Sequence, residues 1–177
     1  MDHALGFGHW SLMQLKKEHE AMSERHADVL VRPPFLYLGG LTAGCAAELF
    51  LPLGPGLAGG TARPVWIGLG LAAIGVAIGW KAFRQFADAG TSIHLDEPTH
   101  ALVTEGLYGW SRNPIYIALT VFYVGLSIAL TTGWALLFLP VVIGILKKGV
   151  IEPEEAYLAL EFKSDYLDYK RQVPRWL

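Results

Sequence analysis

The chain has 177 residues, 53% of them hydrophobic and only 17% charged, with a formal net charge of −2 and a mean hydropathy of +0.36. That is too apolar for a soluble domain of this size, because a soluble bundle with a large core would show a polar face every turn and several segments here show none. The slight acidic balance argues against a nucleic-acid partner, which calls for a basic excess, and the one cysteine, Cys45, has no partner for an internal disulfide and reads as a packing residue.

Residues 1 to 32 mix Lys16, Lys17, Glu18, Glu20, Glu24, Arg25, Asp28 and Arg32 with Leu12, Leu15, Met22 and Val29 at near-helical spacing. This predicts a short amphipathic helix on a membrane surface, and the polar, mixed charge there gives no secretory signal. Pro33 and Pro34 end it, and an apolar run over residues 35 to 53 has the length of one tilted span. A Gly- and Pro-rich turn over 53 to 64 leads to a second apolar run, 65 to 86, closed by Lys81 and Arg84. Residues 88 to 112 are mixed and polar and read as a loop on the water side. Spans three and four, over 114 to 130 and 134 to 146, are joined by Thr131, Thr132 and Gly133 alone, which implies a helical hairpin. The stretch from Glu152 onward places Leu158, Phe162, Tyr166, Tyr169 and Val173 three or four residues apart, the pattern of an amphipathic helix packed on the bundle.

Four spans put the N-terminus, the 88 to 112 loop and the C-terminus on one side. That side holds nearly every Lys and Arg, with only Arg63 opposite, so it is expected to be cytoplasmic. Gly40 and Gly44, and again Gly75 and Gly79, are four apart, a spacing that lets helix backbones approach closely. Gly68, Gly70 and Ala73 match a G-x-G-x-x-A string, but no strand precedes them and they lie inside an apolar helix, so the match is read as helix packing. Glu48 in span one either faces a partner or cavity or sits at the outer interface near Pro52, and the cost of a charge in hydrocarbon favours the interface.

The chemistry gathers where span three begins, in GLYGWSRNPIYIA, residues 106 to 118. Asn113 is a favoured N-cap and Pro114 fits the first helical position, where its missing N–H is no loss. Arg112 beside the positive helix end makes an anion site, and Tyr108, Trp110 and Tyr116 offer aromatic faces to a planar base or organic cation. The same residues also fit a plain interfacial anchor, and both readings stand on these residues alone. In VIEPEEAYLALEF, residues 150 to 162, Pro153 can again open a helix, with Glu154 and Glu155 in its first turn. There they serve either as dipole-capping acids or, opposite Arg112, as one side of a site for a cationic or hydroxyl-bearing ligand.

PTHALVTEGLYGWSRNPIYIALTVFYVGLSI followed by EEAYLALEFKSDYLDYKRQVPRW resembles the isoprenylcysteine carboxyl methyltransferase and phospholipid methyltransferase superfamily of integral membrane enzymes, over residues 83 to 177. The shared pattern is an Arg-His-Pro or Arg-Asn-Pro with Tyr two residues on, a helical hairpin, Glu-Glu, and two tyrosines three apart before Val-Pro. The resemblance implies an all-α polytopic membrane bundle and an S-adenosylmethionine site built from the C-terminal half. Its cofactor-binding candidates here are His94, Tyr108, Arg112, Asn113, Pro114, Tyr116, Glu154, Glu155, Tyr166 and Tyr169, and its catalytic candidates are Arg112 and Glu155, the latter as acceptor of an amine proton. The implied layout is a cytoplasmic amphipathic segment (1–32), transmembrane helices one and two (33–87), and a cofactor-binding loop, hairpin and C-terminal helix (88–177), all in one domain.

The implied partners are membrane lipids and a lipophilic small-molecule or lipid acceptor resembling an isoprenylcysteine carboxylate or a phospholipid amine. The implied location is a bacterial inner membrane with both termini cytoplasmic. The chain departs from the pattern at Leu107, where Pro is frequent, at Asn113 in place of His, and at Lys163 in place of Gly. The remaining histidines, His3, His9, His19, His26 and His100, form no ligand motif, so no metal is expected. Two other classes fit less of the chain: an NADPH-dependent sterol or steroid reductase, for which no extra basic cluster is present, and a non-catalytic membrane adaptor. Oligomeric state and the identity of the acceptor are not encoded in any motif.

Overall fold

The computed structural model describes residues 32–53, 63–89 and 102–177. The expected surface helix before residue 32, the turn over 54–62, and the loop histidines His94 and His100 lie outside the described residues. The described elements are α1 (Pro33–Phe50), α2 (Arg63–Asp88), a 3-10 turn (Gly106–Gly109), α3 (Pro114–Ala129), α4 (Gly133–Leu146), a π-helical turn (Lys147–Ile151), α5 (Glu152–Glu161) and α6 (Lys163–Gln172). No strand occurs among the described residues, so this part of the chain is all-helical. Two helical stretches, Val65–Asp88 and Gly133–Glu161, are long and apolar enough to cross a membrane, and Pro114–Ala129 is a shorter apolar helix. The apolar part of the second stretch ends at Ile151, and from Glu152 the helix is polar.

Close packing accounts for the glycine spacing. A Cβ on Gly125 of α3 would fall against the backbone N of Ala72 and 2.7 Å from the carbonyl O of Gly68, and one on Gly75 would lie 2.6 Å from the backbone N of Phe122. No side chain fits at these points, so α2 and α3 meet backbone to backbone, and dispersion replaces the missing hydrophobic drive. Gly68 of the G-x-G-x-x-A string belongs to this contact. On the other side, a Cβ on Gly44 of α1 would lie 2.5 Å from the backbone of Ala135, and one on Gly40 would lie 2.6 Å from the Val142 side chain. At Gly79 a Cβ would meet only an ordinary contact, 3.4 Å from the Ala118 Cβ.

Tyrosine hydroxyls inside the bundle are satisfied by neighbouring helices. The Tyr37 hydroxyl shares a 2.7 Å hydrogen bond with Thr120, and the Tyr123 hydroxyl donates to the Ala135 carbonyl at 2.7 Å. At the hairpin end, Thr131 adopts a positive φ of 54° and the Thr132 hydroxyl caps α4 by accepting from the Ala135 N–H at 3.4 Å. Glu48 lies at this same end, where its carboxylate accepts from the backbone N–H groups of Leu53 (3.0 Å) and Gly133 (3.1 Å). It therefore works as a terminal staple between α1 and α4.

Two expectations change. Glu154 and Glu155 do not open a free helix, because α4 runs through the π turn into α5, with the Glu152 N–H donating to the Lys147 carbonyl. Pro153 lacks an N–H and crowds the carbonyl four residues back, and the wide turn before it gives the ring room. The dipole-capping reading of the two acids loses its basis, since the amides there are already paired within one continuous helix. The stretch after Glu152 is also two helices, not one: it breaks at Phe162 and Lys163, the latter at φ 46°. The break still lets Leu158, Phe162, Tyr166, Tyr169 and Val173 gather in one cluster, joined by Leu102.

Candidate functional site

The site forms at the end of the bundle opposite the hairpin turn. The 3-10 turn is fastened to the end of α2 by Gln85, whose side-chain oxygen accepts from the Leu107 N–H at 3.1 Å, with Gly106 at φ 62° giving the side chain passage. Phe86 meets the Tyr108 ring edge-on at 4.9 Å, and the Tyr108 carbonyl accepts a 2.7 Å hydrogen bond from the Tyr169 hydroxyl. Tyr108 is thereby held with only 5% of its surface exposed. Its hydroxyl is buried without a hydrogen-bond partner.

Arg112 follows the turn. Its Nη1 contacts the Glu155 Oε1 at 3.0 Å and donates to the Tyr166 hydroxyl at 3.2 Å, while its Nε is buried and unpartnered. Glu155, 7% exposed, holds three cations: the Arg175 Nε and Nη2 donate to its two oxygens at 2.8 and 2.9 Å, Arg112 adds the third contact, and Lys170 Nζ stands 3.4 Å away. Burial pushes this carboxyl upward, but the hydrogen bonds from Arg175 and the charges of Arg112, Arg175 and Lys170 outweigh it, and the group stays below the usual carboxylate range. Glu154, one residue earlier, turns to α3 and accepts from the Tyr116 hydroxyl at 3.0 Å. Burial raises it, Tyr116 opposes this, and the negative neighbour Glu155 raises it further, to about 7. Burial likewise raises the phenols of Tyr108, Tyr166 and Tyr169, with the Glu154 charge adding to the first.

Tyr108, Arg112, Tyr116, Glu154, Glu155, Tyr166 and Tyr169 thus share one cluster. Asn113 and Pro114 act differently. Asn113 stands at the N-cap of α3 but its side chain makes no cap hydrogen bond; it donates instead to the Arg175 carbonyl at 3.0 Å. Pro114 is buried at the first position of α3. Arg112 and Glu155 touch directly, so no ligand lies between that pair. Trp110, 76% exposed, points away. His94 lies outside the described residues.

Four residues escaped the sequence reading: Gln85, Ser111, Lys170 and Arg175. Ser111 is 2% exposed, and its hydroxyl donates to the Arg175 carbonyl at 3.0 Å and accepts from the Asn113 N–H at 3.1 Å. Nothing in their local sequence separates them from solvated neighbours such as Arg171; long-range contacts give them their roles.

A helical chain with two stretches long and apolar enough to cross a membrane, and a buried tyrosine, arginine and glutamate cluster at one end of its bundle, has the features of a membrane protein with a polar cluster at one end. The family model described as phospholipid methyltransferase matches residues 64–165, more than half of the chain. The chain belongs to this family, within the isoprenylcysteine and phospholipid methyltransferase superfamily. Protein-S-isoprenylcysteine O-methyltransferase of Mus musculus is 33% identical over 79 residues, 45% of this chain and 28% of that protein. The enzymes of that name from Saccharomyces cerevisiae (32% over 77 residues, 44% and 32%) and Homo sapiens (32% over 79 residues, 45% and 28%) are similar to the same degree. The matched stretch spans less than a third of the length of these relatives. No solved structure matches.

Proposed function

We propose that the chain is a four-span, cytoplasm-facing membrane methyltransferase that uses S-adenosylmethionine and a lipophilic acceptor. On this reading α1 to α4 are the four spans, residues 33–87 support the site and residues 88–177 build it. The supporting observation is that the Tyr108 hydroxyl and Arg112 Nε are both buried without partners in one cluster, and a buried unpaired donor costs about 1–3 kcal/mol unless a ligand satisfies it.

The residues present suit the donor. The Arg112 Nε–H and the Tyr108 hydroxyl are free to donate to a carboxylate or other acceptor oxygens, and the rings of Tyr108 and Tyr116 beside Glu154 suit a cationic or hydroxylated portion. Bound there, the donor supplies a methyl group carried on a positively charged sulfur. The chain's own work is to hold and align ligands and to keep water out, which the buried tyrosines do. Glu155, kept ionised by three cations, is a poor proton acceptor. That part belongs to Glu154, which at about 7 can take a proton from an amine acceptor near neutral pH, whereas a carboxylate acceptor needs no base.

Thermal unfolding of the purified protein in detergent, titrated with S-adenosylhomocysteine and separately with NADPH, tests the proposal. A ligand at 100 times its dissociation constant stabilises by about 2.7 kcal/mol. The expected outcome is a shift with S-adenosylhomocysteine alone, reduced in Tyr108→Phe and Arg112→Ala. A shift with NADPH alone would replace the methyltransferase by a reductase, and no shift with either would favour an adaptor.

A further inference from the structure

We propose that Arg175 is a positioning residue that, through Glu155, aims the unpartnered Nε edge of Arg112 at the ligand; the inference rests on the reading of Arg112 as a ligand-binding residue.

The geometry is a bridge with two footings. One is backbone: three successive residues before α3 bind the segment that follows α6, the Arg112 N–H donating to the Pro174 carbonyl at 3.0 Å, and the Ser111 hydroxyl and Asn113 side-chain amide each donating to the Arg175 carbonyl at 3.0 Å. The other is the Arg175 guanidinium, which turns to α5 and grips both oxygens of Glu155 at 2.8 and 2.9 Å. Val173 is buried in the α5–α6 cluster and Trp176 packs on the main core, so the residue is anchored on both flanks. A planar fork on a carboxylate fixes the orientation of the carboxylate as well as its place.

That orientation matters because Glu155 has one further strong contact to give. With its oxygens bound by Arg175, its Oε1 reaches Arg112 at a single nitrogen, Nη1, which also meets the Tyr166 hydroxyl. One corner of the Arg112 guanidinium is thereby pinned and Nε is left without a partner. Without Arg175, Glu155 would be free to swing toward Lys170 or to rotate against Arg112, and the unpartnered Nε edge would lose its aim. The family model's match ends at residue 165, so Arg175 itself lies beyond it, while its partners Glu155, Ser111 and Asn113 lie within it.

The test uses the full chain in lipid nanodiscs with R175A, R175Q and R175K, each checked for a cooperative melt. Two readouts are taken. The first is the dissociation constant of S-adenosylhomocysteine by calorimetry between about pH 5 and 8. The groups facing Glu155 are Arg112, Arg175, Lys170, Tyr166 and Glu154. Loss of Arg175 removes the leading cause that holds the Glu155 carboxyl low, so binding in R175A should weaken on the order of tenfold at pH 7, the size of one charge-assisted hydrogen bond, and weaken further as pH falls. R175K, which keeps the charge without the fork, should fall between wild type and R175A.

The second readout needs no ligand: the rate at which phenylglyoxal modifies Arg112, followed by mass spectrometry with exposed Arg171 as internal reference. It should rise several-fold in R175A and R175Q while the Arg171 rate holds. Unchanged binding and unchanged Arg112 reactivity in a folded R175A or R175Q would overturn the proposal. So would a lowered melting temperature with neither readout altered, which is a structural role only. If wild type binds no S-adenosylhomocysteine, the methyltransferase reading fails, and Arg112 reactivity alone still decides whether Arg175 positions it. Should R175A and R175Q not fold, R175K carries both readouts, and wild-type behaviour in it would count against the fork.

Discussion

Replacing Glu155 with Gln tests whether this acid holds the site end of the bundle together. The side chain is 8% exposed and receives close contacts at 2.8, 2.9 and 3.0 Å, with Lys170 at 3.4 Å. Glutamine keeps the shape, but it offers one carbonyl oxygen where two charged oxygens stood, and its amide N–H groups face guanidinium donors. Removing one member of a buried ion pair costs about 3–5 kcal/mol. Arg175 and Lys170 are 26% and 43% exposed and recover some hydration, whereas Arg112, at 9%, does not. The low end, ~3 kcal/mol, follows. For a chain of this length that corresponds to a fall of roughly 6–12 °C in melting temperature. The measurement is thermal unfolding in detergent at pH 7 without ligand. A melt within about 2 °C of wild type would refute the reasoning, since it would mean that the three cations do not depend on this carboxylate.

Glu154 should behave in the opposite sense. Its folded value of about 7 lies above the ordinary 4.5, so the folded chain binds more protons between these values, and melting temperature should fall as pH rises from about 5 through 7. E154Q should flatten that slope in a pH series of melts, and an undiminished slope would assign it to another group. Gly125→Val would push a branched side chain into the α2 backbone, so a loss of about 3 kcal/mol or failure to fold is expected, and a wild-type melt would contradict the close helix contact. Lys163→Gly relieves a φ of 46° and should raise stability by about 0.5–1 kcal/mol, the relief being partly offset by backbone entropy; a lower melt would mean the lysine side chain contributes more than the backbone costs.

The helices were legible because apolar run length and proline placement act locally. The predicted start of span three at residue 114 coincides with the start of α3, and the tight Thr131, Thr132, Gly133 joint is where the chain turns. Glycine spacing carried part of the packing, Gly40, Gly44 and Gly75, but not Gly125, which has no glycine four residues away and whose role depends on which helix lies opposite. The cap logic at Asn113 read the residue type correctly for its position and missed its bond, because its amide N–H donates to the carbonyl of residue 175 and the side chain makes no cap hydrogen bond. The break at Lys163 was hidden for a similar reason: the apolar spacing is that of one helix, and only the tertiary cluster draws the chain through a left-handed residue.

The Glu-Glu pair illustrates why adjacent identical residues need not share a role. Successive positions on a helix point about 100° apart, so two neighbouring side chains cannot address one partner. Here α5 sends Glu154 to the Tyr116 hydroxyl and Glu155 to Arg112 and Arg175. The first meets a neutral donor in a confined place and its carboxyl rises; the second meets three cations and its carboxyl falls. Rotating the helix by one residue would exchange the two roles, so the continuous run from α4 through the π turn into α5, which sets that rotation, is what makes one acid titratable and the other a brace. With Glu154 protonated, Arg112, Arg175 and Lys170 against Glu155 leave an excess of positive charge around the free Nε of Arg112, and under the proposed function that excess favours the carboxylate end of an incoming ligand at this edge.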